Sequence, residues 1–213
     1  MTTATTRRSN KMRRKVSTER VLKAARELFV RQGYRGTTVD KIASEADLTK
    51  GAFYFYYSDK QSLLLELLTA SDQELFAPIF EQMRALEGSS RERIELFLTL
   101  AGRAGASGNI ELLLLPVLMS IEFNGKGGAV EQFLSEVYEK VYQGLTETIA
   151  TGQADGEFTS PESPRGLATM IVALTDGLLL ELYRQSSQVA GRDIARGARQ
   201  SVLALLGANS SHQ

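Results

Sequence analysis

The sequence predicts an all-α protein of about nine helices, with a small three-helix domain at the N-terminal end and a larger helical domain behind it. Three observations carry this expectation. Apolar residues recur at spacings of three and four along most of the chain, the period of one helix face. Serine, threonine and aspartate stand just ahead of those stripes, where their side chains cap free backbone N–H groups, and glycine often stands just behind. No run alternates apolar and polar residues with the period of two that a half-buried strand requires.

Residues 1–16 are polar and basic, with almost no apolar content, and are expected to be disordered. Ser17 then caps a helix whose stripe is Val21, Ala24, Ala25, Leu28 and Phe29. It stops at Gly33-Tyr34-Arg35-Gly36, because glycine takes a positive φ without steric cost. Thr37 or Thr38 caps a short helix with Val39, Ile42 and Ala43 inward. A tight break at Ala46, Asp47 and Leu48 follows, and Thr49 caps a third short helix over 50–56. Ser58 and Gln61 read as a capping box that opens a long helix through Leu63, Leu64, Leu67 and Leu68, ending near residue 83 or 86.

Ser89 with Glu92 caps the next helix, which carries Ile94, Leu96, Phe97 and Leu100, and the small residues 102–108 form a loop. An apolar helix over 110–123 contains Pro116, whose missing donor predicts a kink. Past the glycine-rich break at 125–128, a helix from Val130 to about residue 151 has Phe133, Leu134, Val137, Val141, Leu145 and Ile149 as its apolar positions. Ser160-Pro161 or Ser163-Pro164 starts the following helix, since proline suits a first helical position. The last helix covers about 193–206 and stops at Gly207; residues 209–213 are expected to be a disordered tail.

Composition narrows the function. The chain has no cysteine, and its single histidine, His212, lies one residue from the end, so neither thiolate chemistry nor a catalytic or metal-binding histidine is expected. No phosphate-binding glycine loop is present: 125–128 lacks the Lys-Ser/Thr partner. No enzymatic activity, cofactor or metal is expected. The basic N-terminal end has no apolar signal core, and the greasiest stretch, 112–119, falls far short of a ~20-residue membrane span. A soluble cytoplasmic protein without a membrane partner is expected.

Net charge is zero overall, yet residues 1–60 hold 14 Lys and Arg against 6 Asp and Glu, a balance of +8, and the remainder carries −8. A basic front on an acidic body suits a front that meets a polyanion. Within that front, the helices around the 46–48 break have the spacing at which a second helix enters a DNA major groove while the first lies across it. Lys50, Gly51 and Ala52 supply a cationic donor, an absent side chain and a methyl, which suit close approach to base edges. Thr49 and its neighbouring amides suit a phosphate oxygen. Of the five aromatics 53–57, Phe53 and Tyr57 belong inward and Tyr54 and Tyr56 outward, with hydroxyls free for phosphates; periodicity leaves Phe55 open.

The run GYRGTTVDKIASEADLTKGAFYFYYSDKQSL, residues 33–63, resembles the DNA-binding domain of the TetR family of bacterial regulators, whose pattern covers roughly residues 17–67. The threonine cap, the Ile-Ala pair, the Lys-Gly-x-aromatic-Tyr run and the final lysine fall at the family's spacings. The resemblance implies DNA contacts from Thr38, Thr49, Lys50, Gly51, Ala52, Tyr54, Tyr56 and Lys60. Two positions depart from the pattern. Asp47 stands where the family usually has glycine, though aspartate tolerates the left-handed conformation better than most residues. Tyr56 stands where histidine is common.

The family architecture places a ligand-binding and dimerisation domain at 61–208, behind a DNA-binding domain at 17–60. Dimer contacts are expected from Leu167, Met170, Ile171, Leu174, Leu178, Val202, Leu203 and Leu206 on the last two helices. A pocket for a lipophilic effector is expected among Leu67, Phe76, Phe80, Phe97, Leu113, Val117, Met119, Phe123, Phe133 and Val137, with Glu111, Glu122 and Arg103 nearby to orient a polar group. The expectation is a homodimeric, nucleoid-associated repressor released from a palindromic DNA operator by a small molecule. The alternative is a helical DNA-binding architectural or adaptor protein without an effector.

Overall fold

Every regular element of the computed structural model is helical. It describes residues 2–106, 110–184 and 191–208, and no strand occurs among them. The order is α1 (Thr2–Gly36), α2 (Val39–Glu45), α3 (Lys50–Tyr56), α4 (Lys60–Ser71), a π-helical turn (Asp72–Phe76), α5 (Ala77–Ala85), α6 (Ser90–Ala106), α7 (Ile110–Phe123), α8 (Ala129–Ala154), α9 (Pro164–Arg184) and α10 (Gly191–Leu205). Helical backbone runs without a break from α4 through the π turn into α5, so the rods among the described residues number the expected nine.

The caps form where local chemistry asks for them, with one shift of register. Thr38 Oγ1 accepts the Lys41 N–H at 3.2 Å, and Thr49 Oγ1 accepts the Ala52 N–H at 3.1 Å. Ser89 and Glu92 form a reciprocal capping box, with bonds of 2.8 and 3.1 Å. Ser163 Oγ accepts the Gly166 N–H at 3.1 Å, which selects Ser163-Pro164 as the start of α9. At α4, however, the cap is not Ser58 with Gln61. Asp59 Oδ1 accepts the Ser62 N–H at 2.7 Å instead, because a carboxylate is the stronger acceptor and sits one residue closer.

Two further expectations are corrected. Residues 2–16 continue α1 rather than forming a disordered arm; the stretch contains neither proline nor glycine, so nothing breaks the helix on its N-terminal side. Likewise α6 extends to Ala106 through most of the expected loop, of which 107 and 108 lie outside the described residues, as does the expected tail 209–213. Pro116 lies inside α7 and cannot donate to the carbonyl of Leu112. The buried Ser71 hydroxyl donates to that oxygen at 2.9 Å, one turn before the π turn ends.

The chain divides into two compact units. The first is Met1–Ala70 with Leu115–Phe133, so it is larger than the contiguous 17–60 expected: the end of α7 and the start of α8 join it. Its buried residues include Val21, Ala25, Leu28, Phe29, Ile42, Ala43, Phe53, Leu63, Leu64, Val117 and Met119. The second unit is Ser71–Leu114 with Leu134–Gln213. Its core joins Ile79, Phe80, Met83, Ile94 and Phe97 to Val141, Leu145, Ile149, Leu167, Ile171, Val202 and Leu206. Among the described residues α9 alone is long and apolar enough to cross a membrane by length and composition, which the sequence reading did not anticipate. One side of α9 is buried in the second unit's core, and its other side carries exposed Met170.

Candidate nucleic-acid interface and ligand cavity

The turn between α2 and α3 is closed by Leu48 N–H donating to Ala43 O at 2.8 Å, and Asp47 holds a φ of 56° there. It is the one non-glycine residue with positive φ among those described. Arg20 Nη2 meets the Asp47 carboxylate at 2.9 Å, tying the turn to α1.

α3 separates its aromatics as its period dictates. Phe53 and Tyr57 are buried, Tyr54 is 51% exposed, and Tyr56 is half-buried. Phe55 proves the most exposed of the five at 69%, and the guanidinium of Arg14 lies 5.7 Å from its ring centroid. The continued α1 therefore passes beside α3. Nothing in the protein requires glycine at 51: a Cβ there would meet only Thr49 Oγ1, at 3.9 Å. The space is open on the outer face, beside exposed Thr49 and Lys50 and half-buried Ala52. Lys50 Nζ bonds Asp40 Oδ2 at 2.9 Å across the two helices, and that bond raises its pKa above the ordinary lysine value.

Lys60 does something the motif did not announce. Its Nζ donates to Tyr34 O at 2.6 Å and Thr37 O at 2.7 Å and sits 3.9 Å from the centroid of the Tyr34 ring. Burial lowers its pKa, with the Glu122 carboxylate opposing. The lysine holds the end of α1 to the start of α4 and has one donor left. Thr38 is exposed on the same surface as the cap of α2.

Glu122, expected near a ligand, is also committed here. Its two oxygens accept the backbone N–H groups of Tyr34 and Arg35 at 2.8 and 2.9 Å, immediately after Gly33 turns the chain with a φ of 72°. Phe123, expected in the pocket, packs edge-on against Tyr34 with centroids 5.0 Å apart. Both residues serve the first unit.

The expected pocket residues do not converge. Leu67, Val117 and Met119 are buried in the first unit, where Phe133 is half-buried, while Leu113 and Phe97 are buried in the second. Phe76, Phe80 and Val137 do line one cavity of about 440 Å³, in the second unit. Its remaining walls are polar and charged residues that periodicity does not reveal: Asp72, Arg84, Arg93, Lys140, Gln143, Glu147, Thr148 and Thr151, with Met83, Val141 and Gly144. The expected dimer stripe splits in the same way. Leu167, Ile171, Val202 and Leu206 are fully buried in the protomer's own core and cannot reach a partner, whereas Met170 is 53% exposed and Leu174, Leu178 and Leu203 are half-buried.

Comparison with known proteins matches residues 21–67 to the profile described as bacterial regulatory proteins, tetR family, and residues 128–207 to BetI-type transcriptional repressor, C-terminal. The crystal structure of the MbdR regulator from Azoarcus sp. CIB is similar at 33% identity, over 91% of this chain and 99% of that one, with a TM-score of 0.80. AibR, solved with isovaleryl coenzyme A and operator DNA, shares the fold at 18% identity, a TM-score of 0.70, and coverage of 91% and 100%. The HTH-type regulator YerO of Bacillus subtilis is 45% identical over 47 residues, which are 22% of this chain. The match spans only 16% of YerO's length, and matches to two other curated relatives span 20% and 30% of theirs.

Proposed function

Because this chain belongs to the TetR family of bacterial regulatory proteins, we propose that it is a homodimeric, sequence-specific DNA-binding repressor of the bacterial cytoplasm, released from its operator by a small molecule. One observation carries the reading: α3 is buried along Phe53 and Tyr57 and presents Thr49, Lys50, Gly51, Ala52, Tyr54 and Tyr56 on its open face. Lys50 and the Ala52 methyl address base edges, and the threonines Thr38 and Thr49 with the tyrosine hydroxyls address phosphates. The basic start of α1, brought beside α3 by Arg14 and Phe55, adds phosphate contacts. With ~4 ionic contacts per half-site, log K should fall against log salt with a slope near −7.

One recognition helix spans too few base pairs for useful specificity, so two copies acting on a palindrome are the economical solution. The outward side of α9, with exposed Met170, together with half-buried Leu203 of α10, offers apolar surface a second copy would cover, while Leu174 packs on the protomer's own core and Leu178 faces Leu98 and Ile194 across a small cavity. The 440 Å³ cavity is of the size that holds a small ligand. A ligand preferring one of two conformations by a few kcal/mol would shift occupancy of the operator.

Selection of the purified protein against a random DNA duplex library tests this. A palindrome with half-sites about one helical turn apart is the expected result. Enrichment of no motif, with binding lost at moderate salt, would leave only an architectural protein bound by charge.

A further inference from the structure

The cavity's charges point to the chemistry of its ligand, an inference that rests on the reading of the protein as a ligand-responsive regulator. In the second unit Arg91, Arg165, Arg184, Arg196 and Arg199 each stand within ion-pair distance of a glutamate or aspartate. Arg84, Arg93, Lys140 and Arg103 have no such partner among the described residues, and the first three line this cavity.

Packing gives the cavity two different ends. A Cβ on Gly144 would stand 2.7 Å from the Phe80 ring, so Phe80 of α5 lies directly on α8 at that glycine. A Cβ on Gly152 would stand 2.9 Å from Ser90, so the C-terminal part of α8 lies at the start of α6. Arg93 is one turn into α6, and its Nε and Nη2 both reach Leu86 O at 3.3 Å, just past Arg84. Arg84 and Arg93 therefore line the end of the cavity that they share with Glu147, Thr148 and Thr151. Asp72 and Lys140 lie toward the other end, each on the opposite side of the Phe80–Gly144 contact. Glu147 is engaged by Gln143 Nε2 at 2.9 Å. Between the ends the surface is apolar, from Phe76, Phe80, Met83, Val137 and Val141.

We propose that this cavity binds an amphiphile with a single anionic head, carboxylate or phosphate, held by Arg84 and Arg93, and an apolar body lying over Phe76 and Phe80. A neutral apolar ligand would cover the half-buried Arg93 and return nothing to it, and a cationic one would add repulsion from Arg93 and the exposed Arg84. Arg93, its fork already oriented by the Leu86 carbonyl, loses little freedom on taking an oxyanion.

The test uses the full-length protein and the fluorescent probe anilinonaphthalene sulfonate, displaced by octanoate, octyl phosphate, octanamide or octyltrimethylammonium. At least one of the two anions should displace the probe at a concentration about tenfold or more below octanamide, and which one does so identifies the head. Arg84→Gln with Arg93→Gln should erase that preference while leaving octanamide unchanged. Gly144→Leu, which drives a side chain against Phe80 and into the cavity, should abolish displacement by all of them. If Gly144→Leu does not fold by circular dichroism, Thr148→Phe fills the same space from the next turn. Octanamide or the cation competing as well as both anions, anion preference surviving the double substitution, or binding surviving a folded cavity-filling variant would each overturn the proposal. Retention of a selected DNA duplex is followed in parallel. An anion that binds through Arg84 and Arg93 without releasing DNA upholds the ligand class and overturns the ligand-responsive reading. Release by octanamide alone does the reverse.

Discussion

Glu122, near the end of α7, accepts the backbone N–H of Tyr34 at 2.8 Å, and so closes the C-terminal end of α1 across 88 residues of sequence. Gly33 leaves the helical conformation at a φ of 72°, so Tyr34 and Arg35 begin a new turn, and the first N–H groups of a turn have no intrahelical acceptor. The carboxylate satisfies both, Tyr34 in a part-buried setting and Arg35 in an exposed one. The bond joins α7 to the end of the helix that supports α2 and α3.

Glu122→Ala should therefore destabilise the protein by about 1–3 kcal/mol, the cost of leaving such donors unmade. Glu122→Gln, which keeps one acceptor, should lose less. Gly33→Ala should also destabilise, since its φ of 72° is strained for alanine and the new methyl would lie 3.2 Å from Glu122 Oε2. Urea unfolding at fixed protein concentration measures all three, and an unchanged midpoint in Glu122→Ala would remove the role assigned to the bond.

Lys60 separates two roles by salt dependence. As a brace between Tyr34 O and Thr37 O, its replacement by methionine should lower stability and DNA affinity while leaving the slope of log K against log salt unaltered. Were its main role to neutralise a phosphate, the slope would become shallower by about 1 for each half-site.

Asp40 restrains Lys50, the cation at the head of α3. Asp40→Asn should free the ammonium and remove a carboxylate from the DNA-facing surface. Binding to unrelated duplex at low salt should tighten more than binding to the selected palindrome, so specificity falls. Filter or fluorescence-anisotropy titrations on the two duplexes give the ratio; a ratio that rises contradicts this reading.

The turn at Asp47 discriminates among substitutions by backbone conformation. With φ at 56°, Asp47→Val should cost more than about 1 kcal/mol, because a β-branched side chain clashes in the left-handed region. Asp47→Gly should be neutral or stabilising despite losing the exposed Arg20 pair, which contributes ~0–1 kcal/mol. Thermal unfolding of the two variants orders them.

Asp176 of α9 makes stability depend on pH. Burial raises its pKa from 3.8 to about 6, and the hydrogen bond from Tyr138, 3.3 Å away, opposes that rise only in part. Between these values the folded protein binds a proton that the unfolded chain has released, so this group's contribution falls as pH rises from about 4 to about 6 and then levels. Asp176→Asn should abolish that fall and gain on the order of 1–3 kcal/mol at pH 7.5 relative to pH 4.5. Denaturant midpoints of both proteins at the two pH values, at one protein concentration, decide it.

Much of this molecule was legible in the chain because it depends on neighbours three and four residues apart. Such spacings set the helices, the Thr38, Thr49 and Ser89–Glu92 caps, the inward Phe53 and Tyr57 and the outward Tyr54, while the left-handed turn at Asp47 was legible only through the family resemblance, which places glycine there. The tertiary structure alone decided which partner each side chain found among residues distant in sequence. Periodicity marks Leu167, Ile171, Val202 and Leu206 as apolar but cannot say whether their own core or a second copy covers them, and their own core does. A glutamate in α7 carries no local mark that its acceptors belong to α1, nor a serine in α4 that it will bond the Leu112 carbonyl orphaned by Pro116. Likewise Arg84, Arg93 and Lys140 lie on three different helices, and only the packing of Phe80 against Gly144 brings them around one cavity. Helix period and capping are short-range terms; the satisfaction of buried donors and the filling of space are settled only when distant segments meet.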